Sequence, residues 1–213
     1  MGHLVLLGDS IFDNGSYVGG GPAVIDQVRQ FLPEGWRATL LAVDGSTTAG
    51  VHGQLRRLPA DASHLVLSVG GNDALGEIGV LQQRVRSVAE GLAVLADVLV
   101  RFESAYVELL ETIAATGRPA AACTIYNPRY PEPGLQGVAT TALGLFNDVI
   151  LRAAHRAGFP LVELRAICTE DEDYANPIEP SSIGGAKIAR TLCDLATGHD
   201  FTRKQTVVFP SWS

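Results

Sequence analysis

The sequence is poor in charge and in cysteine. Charged residues make up 18% of the 213 residues and the formal net charge is −7, whereas globular domains usually carry roughly a quarter charged residues. No lysine and arginine cluster offsets the acidic balance, so we expect no nucleic acid or membrane partner. The three cysteines, Cys123, Cys168 and Cys193, are an odd number at wide spacing. They predict buried free thiols rather than disulfides or a metal pair.

Long apolar runs and a secretion signal are also missing. Asp97 and Arg101 interrupt the most hydrophobic region, so no stretch reaches the roughly 18 apolar residues that a membrane-spanning helix needs. Residues 4–7 are apolar and follow Met1 almost directly, without the basic start and small-residue cleavage site of a secretory signal. These features predict a cytoplasmic protein.

What the sequence does contain is an alternation of two hydrophobic patterns. Apolar residues make up 46% of the chain, enough for the large core of a single domain over residues 1–213, with a tail from about residue 199. Short β-rich runs at residues 3–7, 38–43, 64–69, 120–126 and 160–164 alternate with stretches of helical periodicity. This alternation is typical of an α/β domain with a parallel sheet.

The helical pattern is clearest in four segments. We predict helices over residues 22–32, 81–113, 138–157 and 182–197, and Gly91 is a point at which the second could be divided. The proline-rich residues 127–134 predict an extended loop beside the site. The tail over residues 201–213, with Arg203, Lys204, Phe209 and Trp212, is expected to pack on the domain, and an added strand or a subunit contact is the alternative.

Small and polar residues follow each of the first three predicted strands. The segments are Gly8-Asp9-Ser10, Asp44-Gly45-Ser46 and Gly70-Gly71-Asn72-Asp73. In a parallel sheet ligands bind at the carboxyl ends of the strands, so we expect these segments to border one crevice. A tight strand-to-helix turn would raise the Ser10 hydroxyl into it, and Gly45 and Asn72 would supply N–H donors for an oxyanion. Asp73 is expected to cap the following helix.

These three segments resemble the first three sequence blocks of the SGNH, or GDSL-type, hydrolases. The resemblance implies a three-layer α/β/α, flavodoxin-like fold with a five-stranded parallel sheet and a cofactor-free esterase or acyl hydrolase without a metal. It assigns Ser10 as the nucleophile, and the Ser10 and Gly45 amides with the Asn72 side chain as the oxyanion hole. The implied partner is a small-molecule ester or acyl substrate, and the oligomeric state stays open.

The fourth block departs from the family pattern. Members typically carry Asp-x-x-His before the last helix, with the histidine as base. Here Asn176 and Glu179 stand at those positions. A carboxylate is a weak base unless burial raises its pKa, so we favour Glu179 as a non-standard base in a slow or atypical enzyme. A cap or a salt bridge to Lys187 or Arg165 is the structural alternative for Glu179. Asp9 and Asn176 are candidate supporting residues.

The five histidines offer only one other candidate base. Topology places His3, His64 and His155 near the amino-terminal ends of the strands, away from the crevice, as surface or edge residues. It places His199 at the far end of the last helix, roughly 20 Å from the site. His52 follows the Gly45 loop on the productive face and is a further candidate, although a solvated helix-start residue is the simpler interpretation.

Two hypotheses of different class remain. One is a serine hydrolase that forms an acyl-serine, and the other is a non-hydrolytic protein that binds an acyl or sugar ligand. A dinucleotide site is excluded because the first turn lacks the G-x-G-x-x-G pattern. Specificity is expected in the loops over residues 12–21 and 127–137.

Overall fold

The structure is a computed structural model, which describes residues 1–203 and 206–210. The strands are β1 (Gly2–Gly8), β2 (Trp36–Leu40), β3 (His64–Ser68), β4 (Ala120–Cys123), β5 (Leu161–Val162), β6 (Tyr174–Asn176), β7 (Glu179–Pro180) and β8 (Val208–Phe209). The α-helices are α1 (Val24–Phe31), α2 (Thr48–Leu55), α3 (Gly71–Gly76), α4 (Val88–Ala115), α5 (Pro133–Ala157), α6 (Leu164–Ile167) and α7 (Ser182–Gly198). Two 3-10 helices cover Ile78–Gln82 and Asp171–Asp173.

The main sheet is parallel, with strand order β2-β1-β3-β4-β5-β8. The predicted three-layer α/β/α fold is therefore confirmed. The sheet has six strands rather than five, because Val208 and Phe209 in the tail pair with Leu161 and Val162. The tail thus forms an added strand, which was the alternative to simple packing on the domain. Two of the tail residues named above, Lys204 and Trp212, lie outside the described residues.

Alternation along the central strand β1 builds both halves of the core. Leu4 and Leu6 pack into the cluster that includes α1 and α7, whereas Val5 and Leu7 pack into the cluster that includes α4 and α5. All four side chains are fully buried. This continuous apolar run is what a parallel strand covered on both faces requires. The predicted free cysteines are buried in this interior.

The second predicted helix begins later than its periodicity indicated. Leu81 lies in a 3-10 helix and α4 starts only at Val88, where the Ser87 hydroxyl accepts a hydrogen bond from the Glu90 N–H at 3.1 Å. The Ser87 cap fixes the start of α4 and separates it from the 3-10 helix, although the apolar periodicity continues through both segments. Gly91 lies within α4 and does not divide it. The buried face of α4 starts at Val98.

The start of the third predicted helix, over residues 138–157, also differs from the prediction. Helix α5 starts at Pro133 rather than near residue 138, since proline is well suited to the first turn, where its missing N–H is not needed. The extended loop therefore ends at Glu132. Strands β4 and β5 are shorter than the predicted runs, because residues 124–126 lie in a loop after β4 and Leu164 begins α6.

The histidines outside α2 lie away from the carboxyl ends of the strands, as the topology indicated. His3 is nevertheless buried rather than on the surface, and its ring contacts Asp61 and Thr39. The ring of His199 packs edge-on against Phe201, so it helps to hold the tail on the domain. In the described part of the chain, no helix is both long and apolar enough to cross a membrane.

We predict that Gly8→Ala prevents stable folding. Gly8 has φ +129°, and a Cβ at this position would lie 1.8 Å from the Ser68 carbonyl oxygen. Because that neighbour is backbone, we expect a loss of more than about 3 kcal/mol in the free energy of unfolding, measured by urea denaturation. Gly137→Ala is the control, since it lies in α5 with open space around it, and should be neutral or stabilising by up to about 1 kcal/mol. Equal stability of the two variants would contradict the prediction.

Candidate active site

The Ser10 side chain emerges from a tight turn at the carboxyl end of β1. The N–H of Asp9 donates to the Ser68 carbonyl at 3.1 Å, and the N–H groups of Phe12 and Asp13 both donate to the Asp9 carbonyl. These bonds fold the chain back directly after the strand. Ser10 is 7% exposed and lines a cleft at this end of the sheet. Its hydroxyl is therefore held at the site that the sequence indicated.

Glu179 accepts a hydrogen bond from the Ser10 hydroxyl. The distance from Oγ to Oε1 is 2.9 Å, and the Glu179 side chain is buried. Strand β7, which carries Glu179, is anchored on both sides: Asn14 Nδ2 donates to the Pro180 carbonyl at 3.1 Å, and the Tyr126 hydroxyl donates to the Ile178 carbonyl at 2.7 Å. Hydrogen bonds to the backbone on both sides of Glu179 thus position its carboxyl group.

Burial changes the acidity of two carboxyl groups at this point. Desolvation raises the pKa of Glu179 to about 7; the Ser10 hydrogen bond opposes the shift, and the Asp44 charge adds to it. Desolvation also raises the pKa of Asp9 to about 8, opposed by the Ile11 N–H and reinforced by the Glu179 charge. Glu179 Oε2 is buried without a hydrogen-bond partner among the described residues. Near neutral pH, Glu179 can therefore hold or release a proton.

Three candidate N–H groups lie on the segments that follow β1, β2 and β3. Ser10 and Asn72 line the cleft, whereas Gly45 is exposed and is not among the lining residues. The backbone N–H groups of Ser10 and Gly45 have no acceptor among the described residues, and Gly45 has φ +76°, a conformation that suits glycine. Asn72 lines the cleft and donates one Nδ2 hydrogen to the Ser46 carbonyl at 3.0 Å. A side-chain amide has two such hydrogens, so the second is free for a ligand.

Gln54 links the serine turn to the Gly45 loop, and the sequence reasoning missed it. Its Oε1 accepts from the Gly8 N–H at 2.8 Å, and its Nε2 donates to the Gly8 carbonyl at 2.7 Å and to the Ser46 hydroxyl at 3.2 Å. A glutamine inside a helix carries no local signal of this role. The contact depends on α2 packing against β1.

Asp73 acts on a different helix from the one predicted. Its carboxylate accepts from the Thr48 N–H at 3.0 Å, at the start of α2, while the residue itself lies within the first turn of α3. The prediction that Asp73 caps α3 is therefore wrong. The actual contact ties the Asn72 segment to the loop that holds Gly45.

The side chains of the remaining candidates make no hydrogen bond to Ser10 or Glu179 in the described part of the chain. Asn176 is the cross-strand partner of Glu179 in the β6–β7 pair. Asn176 is exposed, and its Oδ1 accepts from the Ile178 N–H at 2.9 Å. His52 lies in α2 and is not among the residues that line the cleft. Lys187 pairs with Asp173 and Arg165 pairs with Glu163, so neither forms the salt bridge considered for Glu179.

A deep apolar cleft starts at Ser10 and Glu179. We call it the acyl cleft. Its apolar and aromatic lining is Ile11, Val69, Ala74, Leu75, Ile78, Val80, Leu81, Leu95, Val98, Ile125, Tyr126, Pro128, Tyr130, Leu135, Ala139, Ala142, Leu143, Phe146 and Ile178. Residues 127–137, expected to set specificity, contribute to this lining, whereas residues 12–21 do not. Among the described residues no group of three or more metal-ligating side chains could hold a metal ion.

The sequence profile of the GDSL-like lipase/acylhydrolase family matches residues 6–184. The chain belongs to this family. The match covers the serine turn, the Gly45 loop, the Asn72 segment and Glu179. No curated protein sequence matches the chain. Family membership supports a hydrolase function and small-molecule ester substrates.

Several solved structures share the fold over nearly the whole chain. An extracellular lipase from Streptomyces rimosus has 15% identity and a TM-score of 0.65, over 92% of this chain and 100% of that chain. LAE5, an alpha/beta hydrolase from the metagenome of Lake Arreo, has 21% identity and a TM-score of 0.65, over 92% and 94%. An aryl esterase from M. smegmatis has 12% identity and a TM-score of 0.63, over 92% and 98%. At these identities the similarity establishes the fold.

We predict that Glu179→Gln stabilises the protein at alkaline pH. Folding raises the pKa of Glu179 from near 4.5 to about 7. The free energy of unfolding therefore decreases as the pH increases from about 4.5 to 7, because the unfolded chain loses this proton first. Glutamine can still accept the Ser10 hydrogen bond but never becomes charged. We expect a gain on the order of 2 kcal/mol in the free energy of unfolding at pH 8, and none at pH 4.5.

Urea denaturation across this pH range measures the effect. Glu172→Gln is the matched control, since Glu172 is an exposed carboxylate seven residues away, and it should show no such pH-dependent gain. Unchanged stability of Glu179→Gln at every pH would contradict the burial cost assigned to Glu179.

Proposed function

We propose that the protein is a serine ester hydrolase in which Ser10 is the nucleophile and Glu179 is the base. The observation that carries the proposal is the 2.9 Å hydrogen bond from the Ser10 hydroxyl to a buried carboxyl group with a pKa of about 7. A base is most useful when its pKa lies near the working pH. Burial brings Glu179 into that range although it lacks the imidazole usual in the family.

In the first step the Glu179 carboxylate takes the proton of the Ser10 hydroxyl as Oγ attacks the ester carbonyl. A new Oγ–carbon bond forms, and the carbonyl electron pair moves onto oxygen. The 2.9 Å separation is within the range needed for direct proton transfer. A second carboxyl at Asp9, whose pKa is about 8, stays largely protonated at neutral pH and so adds little negative charge beside the attacking oxygen.

The developing oxyanion would be stabilised by the N–H groups of Ser10 and Gly45 and by the Asn72 amide. These donors follow three neighbouring strands, and the Gln54 and Asp73 hydrogen bonds hold their loops together. Donors held in place before the reaction are effective because they need no rearrangement as charge develops.

Collapse of the tetrahedral intermediate breaks the bond to the leaving alcohol, which takes the proton from Glu179. Water then attacks the acyl-serine while Glu179 accepts its proton, and the acid is released with Ser10 reprotonated. Glu179 Oε2 has no partner among the described residues, so no third residue orients this base. A carboxylate without an orienting partner supports the expectation of slow turnover.

We predict that activity depends on Ser10 and on deprotonation of Glu179. In the wild type, kcat/KM for p-nitrophenyl butyrate should rise as pH increases through about 7, because only the carboxylate form accepts the serine proton. Glu179→Gln should lower kcat at least 100-fold and abolish this rise. Ser10→Ala should abolish turnover and labelling by a fluorophosphonate probe.

Glu172→Gln serves as the control and should keep the wild-type pH profile. A Glu179→Gln variant as active as the wild type, together with an inactive His52→Ala, would show that the base is His52. Absence of both labelling and turnover at every pH would favour the non-hydrolytic binding protein.

We also predict that Asn72→Ala lowers kcat about 100-fold with a much smaller change in KM. Loss of a donor that acts mainly on the oxyanion has this signature. Thermal unfolding checks that loss of the contact to the Ser46 carbonyl leaves the fold intact. A change confined to KM would assign Asn72 to substrate binding alone.

A further inference from the structure

We propose that the acyl cleft binds an uncharged aliphatic acyl chain of more than four carbons, so that this hydrolase prefers medium- or long-chain esters over acetyl esters. The inference rests on the proposed function. It goes beyond it by naming the part of the substrate that the cleft recognises.

The walls of the cleft come from three helical segments. Ile78 and Leu81 contribute from the first 3-10 helix, Leu95 and Val98 from α4, and Leu143 and Phe146 from α5. The α5 residues that line it extend from Leu135 to Phe146, about 16 Å along the helix at 1.5 Å per residue. This wall is much longer than an acetyl group, so a two-carbon acyl chain would leave most of it in contact with water.

The titratable residues of the cleft select against an anionic ligand. Those among its described lining are Asp9, Glu77 and Glu179, all of them acidic. Glu77 pairs with Arg101 at 3.0 Å at the exposed rim. The lining therefore contains no cation for a carboxylate, phosphate or sulfate on the chain. An apolar wall also leaves sugar hydroxyl groups without partners, which is costly when they are buried.

The position of the base indicates which half of the ester enters the cleft. Glu179 lines the cleft beside Ser10, and the chain continues from it through Pro180 and Ser181 into α7, which lies on the α1 face of the sheet. The long walls are formed by α4 and α5 on the opposite face. The leaving alcohol must reach Glu179 to take its proton, so it lies toward the α7 side. The acyl chain is then directed between α4 and α5.

The cleft is open at its mouth, which predicts a graded preference for chain length. Ile78 and Leu135, at the mouth, remain 49% and 40% exposed. An acyl chain would cover these two residues only in part. Each added methylene should therefore increase kcat/KM by less than the roughly fourfold expected from full burial. We expect about a twofold gain per methylene, and hence at least a 30-fold higher kcat/KM for p-nitrophenyl octanoate than for p-nitrophenyl acetate.

The first experiment measures kcat/KM for the acetate, butyrate, hexanoate and octanoate esters below their critical micelle concentrations. Octyl acetate, whose aliphatic chain is on the alcohol, is the second arm. The proposal expects a steady rise with acyl length and no comparable gain for octyl acetate over ethyl acetate. An acetate ester hydrolysed as well as octanoate, or a larger gain for octyl acetate, would overturn it.

A pair of neighbouring substitutions tests the cleft itself. Ala142 lines the cleft, whereas Thr141 is exposed on the same helix and does not. Ala142→Trp should lower the octanoate-to-acetate ratio of kcat/KM at least tenfold by filling the cleft. Thr141→Trp, the matched control, should leave that ratio unchanged. Equal ratios in both variants and the wild type would contradict binding of the chain at this place.

A binding measurement separates this proposal from the proposed hydrolysis. Octanamide is an uncharged analogue that carries the same chain but resists hydrolysis. Calorimetry should show at least tenfold tighter binding of octanamide than of butanamide to Ser10→Ala, since the two differ by four methylenes, and loss of that gain in the Ser10→Ala, Ala142→Trp double variant. This result would support the acyl cleft even in a protein that fails to hydrolyse esters, whereas ester hydrolysis without octanamide binding would overturn the cleft and leave the proposed function intact.

Discussion

The hydrogen bond between Ser10 and Glu179 joins two residues 169 positions apart in the sequence, and the chemistry proposed for the site depends on it. It places a carboxyl group, rather than an imidazole, against the serine. The carboxyl group can act near neutral pH only because the surrounding protein removes it from water, which raises its pKa to about 7. Burial of a residue that is normally charged is thus the physical condition for this site.

That condition has a cost in stability. A buried carboxylate without a cation is disfavoured, and the Glu179 charge adds to the burial that raises the pKa of Asp9. The protein offsets this cost with rigid anchoring around the pair. Asn14, Tyr126 and Gln54 each form hydrogen bonds to backbone groups of the segments that carry the site.

The same end of the sheet combines a polar corner with an apolar cleft. The polar groups are concentrated where the first three strands end, and the apolar walls are supplied by α4, α5 and the 3-10 helix over Ile78–Gln82. Exposed aliphatic residues at the mouth, such as Ile78 and Leu135, are unfavourable in water unless a ligand covers them. A substrate that is polar at one end and aliphatic at the other fits both parts.

Several features were open to prediction from local sequence because they follow from local physics. The apolar run of β1, the Gly8-Asp9-Ser10 turn and the glycine at residue 45 each impose their own backbone geometry, and parallel strands bring the segments that follow them to one edge. Helix boundaries were less predictable, since the Ser87 cap and Pro133 override the periodicity on which the predictions relied. The tail was also misjudged: it pairs with β5 as a sixth strand.

By itself the sequence determined the α/β class, the family and the residues at the ends of the first three strands, because these depend on patterns within short segments. Only the tertiary structure decided that Glu179 contacts Ser10 without a salt bridge, that Asp73 reaches α2, and that Gln54 supports the serine turn. Burial, and with it the pKa of a carboxyl group, is set by side chains from distant parts of the chain, and no local pattern records which of them will meet.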